Sequence, residues 1–160
     1  MQITINNQQY QTKVGERLLD IARTNREHIG YFCGGNALCQ TCYVTVLEGA
    51  ELLSPLSEEE QAFLSERLLD DGTRMACQTV IEREGNIRIV SAVEEVKTMF
   101  EANPLQLVGY AAKMGWEALA KFQDTLKFQS GREHDLRMVI GDVLGGIADA
   151  FRLVAKACNK

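Results

Sequence analysis

Cys33-Gly34-Gly35-Asn36-Ala37-Leu38-Cys39-Gln40-Thr41-Cys42 decides how the chain is read. A fourth cysteine follows far downstream, in Arg74-Met75-Ala76-Cys77-Gln78. Zinc sites usually pair two short cysteine or histidine knuckles, and three cysteines on one loop with one distant partner is a different pattern. A cluster of two irons and two sulfides needs four thiolates around a larger object, with a loop whose backbone wraps it closely. Gly34, Gly35 and Ala37 suit that loop, because small residues let backbone N–H groups point at cluster sulfurs. Plant-type [2Fe–2S] spacing is C-x4-C-x2-C with a distant fourth cysteine. Here the first gap holds five residues, Gly34 to Leu38, and the last holds 34, Tyr43 to Ala76. Cys33, Cys39, Cys42 and Cys77 are therefore the candidate iron ligands. Zinc, or four buried free thiols, is the alternative.

With its longer first gap, the chain resembles the adrenodoxin/putidaredoxin branch of the [2Fe–2S] ferredoxins. The likeness lies in Cys33-Gly34-Gly35, in Cys39-Gln40-Thr41-Cys42-Tyr43-Val44 and in Met75-Ala76-Cys77-Gln78, and it covers residues 1–97. The run from Tyr31 to Cys42 is also similar to ferredoxin-like proteins of photosynthetic bacteria, including chlorosome-envelope members with extra helical tails. The resemblance implies a β-grasp fold, and for the helix between the third and fourth cysteines an acidic docking surface for reductases and acceptors.

Local patterns agree with an α+β chain, a β-grasp ferredoxin-like domain (1–97) followed by an α-helical C-terminal extension (98–160). Ile3 and Ile5, then Tyr10, Thr12 and Val14, form two period-2 runs around Asn6-Asn7, which reads as a hairpin. Leu18, Leu19, Ile21 and Ala22 recur at helical spacing through Asn25. A strand is expected over Tyr43–Leu47. Ser57 with Glu60 forms a capping box for one helix carrying Ala62, Phe63, Leu64, Leu68 and Leu69, closed by Asp70-Asp71-Gly72. Two strands, Cys77–Ile81 and Ile87–Val90, complete the first domain near Val93. Glu94–Asn103 is the polar, partly helical joint. Beyond it Asn103-Pro104 starts a helix. Its apolar stripe comprises Leu105, Val108, Ala112, Gly115, Leu119, Phe122 and Leu126. A second helix, Asp135–Ala157, carries Leu136, Ile140, Val143, Ile147, Phe151 and Val154, with Gly141, Gly145, Gly146 and Ala150 permitting close approach.

The 160 residues are 46% hydrophobic and 24% charged, the balance of a packed protein. A net charge of −5 argues against a nucleic-acid partner. No run of 18 apolar residues spans a membrane, and the strand-like start is no signal peptide, so a cytoplasmic location is expected, with attachment to a photosynthetic membrane as a peripheral option. Five cysteines leave Cys158 over, expected to be an inert exposed thiol. His28 is expected to face solvent.

No Ser-His-Asp set, phosphate loop or dinucleotide fingerprint appears. The chain is read as no enzyme but a one-electron carrier, with a redox partner protein at each end, a reductase and an acceptor. All-thiolate ligation keeps the potential in the negative range, around −400 mV in the plant-type case. Residues 1–98 hold 9 Lys/Arg against 15 Asp/Glu, whereas 99–160 hold 8 against 7. The acidity centres on Glu58, Glu59, Glu60, Glu66, Asp70 and Asp71, the candidate docking residues, although Ser65-Glu66-Arg67 interrupts the run. Residues 99–160 are expected to fold back on the first domain, to pair with another copy or to dock on a membrane-surface assembly, with oligomerisation or assembly as their role. The rival reading is a structural, assembly or redox-sensing iron–sulfur protein of a photosynthetic complex.

Overall fold

The structure, a computed structural model, describes residues 1–131. Ile3 and Ile5 are fully buried from strand β1 (Gln2–Ile5). Asn6 and Asn7 both hold positive φ, 50° and 66°, the pair of left-handed residues that a two-residue hairpin turn demands. Strand β2 (Gln8–Gln11) then returns antiparallel. The alternation expected as far as Val14 stops at Gln11: Thr12 is buried, but Val14 lies exposed where the chain turns into the next element.

Helix α1 (Leu18–Asn25) buries Leu18, Leu19, Ile21 and Ala22, the four residues at helical spacing. It ends where Arg26 turns left-handed, at φ 59°. Beyond the cysteine loop come strand β3 (Tyr43–Glu48), a 3-10 turn (Ala50–Leu52), helices α2 (Glu58–Phe63) and α3 (Glu66–Asp70), and strands β4 (Thr73–Met75) and β5 (Asn86–Ser91). The five strands form one sheet in the order β2-β1-β5-β3-β4, with β1 and β5 parallel and the other neighbours antiparallel. Sheet, α1 and α2–α3 share one core that includes Ile3, Leu18, Leu19, Phe63, Leu68 and Ile89. The α+β class, with a mixed sheet and a helical C-terminal region, is the expected one.

Three expectations need correction. The single helix over 58–71 is two, because Leu64 is extended and Ser65 caps a fresh start, its hydroxyl accepting from Leu68 N–H. Cys77–Ile81 is not a strand. The Met75 carbonyl accepts from Gln78 and Thr79 N–H and from the Thr79 hydroxyl, a tight turn that spends the groups a ladder would need. The strand sits earlier, as β4, pairing Tyr43 with Met75. The third correction concerns the extension. Its joint, Glu94–Asn103, is helical as expected, most of it lying in α4 (Ala92–Ala102), which Ser91 caps. The helix expected over 105–126 is broken at Lys121 into α5 (Gln106–Ala120) and α6 (Phe122–Ser130).

The apolar stripe of that extension faces solvent. Leu105, Val108, Trp116, Leu119, Phe122 and Leu126 are all exposed, Leu105 at 77% and Leu119 at 72%. The opposite side, which meets α2–α3, is mixed: Met114 and Phe128 pack against the core beside polar groups that reach a carboxylate and backbone carbonyls. Lys113 Nζ donates to Asp71, Lys121 Nζ to the Gln61 carbonyl and the Thr125 hydroxyl to the Ala62 carbonyl. The helix expected over Asp135–Ala157, its small residues and Cys158 lie outside the described residues.

Candidate metal centre

The loop that joins α1 to β3 is held by left-handed backbone. Gly34 and Gly35 have φ of 68° and 95°, and Ala37 and Gln40 follow at 53° and 55°. The positive φ favours glycine at Gly35, and an added Cβ there would stand 3.2 Å from the Leu19 side chain, which would have to give by a few tenths of an ångström. Gly34 N–H bonds back to the Tyr31 carbonyl, and the Asn36 amide to the Cys33 carbonyl. The loop is thus shaped by its own backbone bonds.

Cys33, Cys42 and Cys77 are buried and Cys39 is partly exposed. The four thiols fall into two pairs. Cys42 Sγ lies 3.1 Å from Cys77 Sγ, and the Cys33 thiol accepts a hydrogen bond from Cys39. In each pair one thiol donates and the other accepts, so the partners are driven apart. Cys33 is pulled down to about 5 by the Cys39 bond, against its burial, with help from the N–H groups of Leu38, Cys39 and Gly35. Cys39 is raised by the same bond. Cys77 is lowered by the bond from Cys42, and Cys42 is raised. Two thiolates per iron is the donor set that a two-iron cluster takes. Among the described residues no three His, Cys, Asp or Glu side chains converge as one metal ion requires.

Further donors surround these sulfurs. Leu38 N–H lies 3.4 Å from Cys33 Sγ and the Gln78 amide 3.4 Å from Cys77 Sγ, while the Thr41 hydroxyl is 2.9 Å from Cys39 Sγ. Small loop residues, N–H groups aimed at sulfur and two thiol pairs all fit a [2Fe–2S] cluster.

Several residues beyond the four cysteines support this site. Arg17 Nη1 donates to the Cys77 carbonyl while its remaining nitrogens clamp Asp20. Gln78 also reaches the Gly35 carbonyl. Glu60 is the largest surprise and a correction: expected on the docking surface, it is 0% exposed. Its carboxylate accepts from Arg74 Nε and Nη2 at 2.7 and 2.8 Å, from Met75 N–H and from Ser57 N–H. A charge this buried persists only when fully bonded, and here it ties the start of α2 to the segment that carries Cys77. The capping box singled out Glu60; nothing in sequence marked Arg74 as its partner. His28 is exposed, as expected.

The other acidic residues are placed on α2–α3. Glu58, Glu66 and Asp70 are exposed and Glu59 is half-buried. Asp71 is bound to Lys113 at 2.7 Å, which holds its carboxyl below the ordinary range.

Residues 3–82 match the 2Fe-2S iron-sulfur cluster binding domain, and the chain belongs to that family. Those residues form a ferredoxin-type electron-carrier domain whose cofactor is a [2Fe–2S] cluster. The chain is 41% identical to chlorosome protein I of Chlorobaculum tepidum, over 100% of this chain and 67% of that protein. Chlorosome protein J of the same organism is 39% identical, over 96% of this chain and 71% of its own length. A 2Fe-2S ferredoxin of Pseudomonas aeruginosa is 34% identical over 47% of this chain and 68% of its own. No helix among the described residues is long and apolar enough to cross a membrane.

Proposed function

We propose that the chain carries single electrons on a [2Fe–2S] cluster ligated by Cys33, Cys39, Cys42 and Cys77, and that it meets basic redox partners through α2–α3. The pairing of the four thiols around a left-handed, glycine-bearing loop carries the ligand assignment. When bound, the cluster supplies a one-electron couple of negative potential. The residues of the chain bring the four thiols together in two pairs, donate N–H groups to the sulfurs and exclude water from Cys42 and Cys77. Cys39 is the partly exposed thiol, which makes its side of the loop the edge nearest a docked partner. Glu58, Glu59, Glu66, Asp70 and Asp71 form the docking set; such a surface steers encounter and makes the rate depend on salt.

Purified protein should contain two irons and two acid-labile sulfides per chain, and alanine at any one of the four cysteines should lose the visible chromophore. Stoichiometric zinc without sulfide would sink the assignment.

A second reading rests on a different observation. The exposed stripe on α5–α6, together with likeness to chlorosome proteins I and J across the extension as well as the cluster domain, favours an assembly or redox-sensing role at a photosynthetic membrane. In that reading residues 99–160 bind a complex or a second copy. Co-fractionation with isolated chlorosomes, combined with slow electron exchange with soluble reductases, is its expected signature. A freely diffusing carrier gives the reverse.

A further inference from the structure

We infer that α5–α6 is a displaceable cover on the acidic docking face, and that its lysines stand where a partner's basic side chains would bind. This rests on the docking reading above. Lys113 occupies Asp71 at 2.7 Å, and Lys121 takes the Gln61 carbonyl at the surface of α2. Arg67 on α3 faces Glu117 at 3.9 Å. Phe128 places its ring edge-on to Phe63 at 5.9 Å. The extension therefore contacts both acidic helices, while Glu58, Glu66 and Asp70 stay exposed at the rim to begin an encounter.

This contact is built to release. Its Lys113–Asp71 pair is exposed and exchanges readily for water, and its apolar part is confined to a few side chains, Met114 and Phe128 among them. It is also poorly filled: a cavity of about 880 Å3 opens between the extension and the sheet, lined by Tyr43, Val44, Leu68, Met99, Tyr110 and Met114. A permanent interdomain contact would bury the apolar stripe and leave the polar side outside. Here the stripe points outward.

The test uses the whole, cluster-loaded chain. Chemically reduced protein is mixed with a basic ferric c-type cytochrome at low ionic strength, and the second-order rate of cytochrome reduction is read. Phe128→Ala removes the ring contact without changing charge and should raise this rate several-fold. Lys113→Met should raise it more than Lys97→Met, which removes the same charge from an exposed site on α4. A rate at the reference value for either variant overturns the cover. Lys113→Met, a surface change, decides alone if Phe128→Ala fails to keep its visible spectrum. The double change Glu66→Lys/Asp70→Lys separates the two readings. If it slows the unaltered protein while Phe128→Ala and Lys113→Met do nothing, docking stands and the cover falls. If it slows neither the unaltered protein nor the Phe128→Ala form, the acidic face is not the docking site and both readings fall.

Discussion

Glu60 and Arg74 show how one residue can serve the cluster without touching it. Burial pushes the Glu60 carboxyl up, but the Arg74 bonds and the N–H groups of Met75 and Ser57 outweigh that and hold it below its ordinary value of 4.5. A carboxyl whose folded value is depressed contributes stability that is complete above the unfolded value and is lost as pH falls through the folded one. Resistance to urea should therefore decline below about pH 4.5. Glu60→Gln should lower stability at pH 7 by about 3–5 kcal/mol, because Arg74 is left without its counter-charge. It should also flatten that acid limb, with the visible absorbance as the readout. A variant with an unchanged urea midpoint would mean that water replaces the carboxylate freely. The cysteines were legible because thiol chemistry and spacing lie in the residues themselves. The Glu60–Arg74 pair was not, since 13 intervening residues and a tertiary turn bring the two together.

At the scale of elements, hairpin, α1 and β3 were legible because period and burial coincide: Ile3 and Ile5, or Leu18, Leu19, Ile21 and Ala22, each mark one buried face. The segment from Ser57 to Gly72 was harder. Its apolar residues fit one helix, and only Ser65, read as an interruption of charge, marks the break. That hydroxyl caps α3 through Leu68 N–H at 3.2 Å. Ser65→Ala should cost about 1 kcal/mol, the usual price of a lost N-cap. The loss should appear as faster amide exchange across Glu66–Asp70 with the iron content unchanged. Exchange equal to that of the unaltered protein would show that packing of Leu64 and Leu68, not the cap, sets α3. The misplaced strand has a different cause: Cys77, Thr79 and Ile81 alternate as a strand does, yet Thr79 spends its hydroxyl and N–H on the Met75 carbonyl.

Across the whole molecule, the charge division between residues 1–98 and 99–160 becomes an intramolecular contact, with Lys113 and Lys121 of the extension set on the acidic helices. The exposed part of that contact is weak. An exposed pair such as Lys113–Asp71 is screened by solvent and adds little, and the Phe63–Phe128 edge contact contributes about 0.5–1.5 kcal/mol beyond its burial. The groups bonded to the cysteine sulfurs, by contrast, lie between Cys33 and Gln78. Helix α4 belongs with the sheet, since the Thr45 hydroxyl donates to Glu95 at 2.7 Å. A chain ending at Asn103, and so keeping α4 whole, should hold its two irons, its visible and EPR spectra and its midpoint potential, with thermal stability lowered by only a few degrees. It should react faster with a basic acceptor and lose whatever self-association or chlorosome binding the full chain displays. Loss of the cluster on shortening would make the extension part of the ferredoxin core. A full chain that stays monomeric and binds no chlorosome fraction would leave the outward stripe of Leu105, Val108, Trp116 and Leu119 without an assembly role. The faster reaction of the shortened chain would then be the remaining mark of what α5–α6 does.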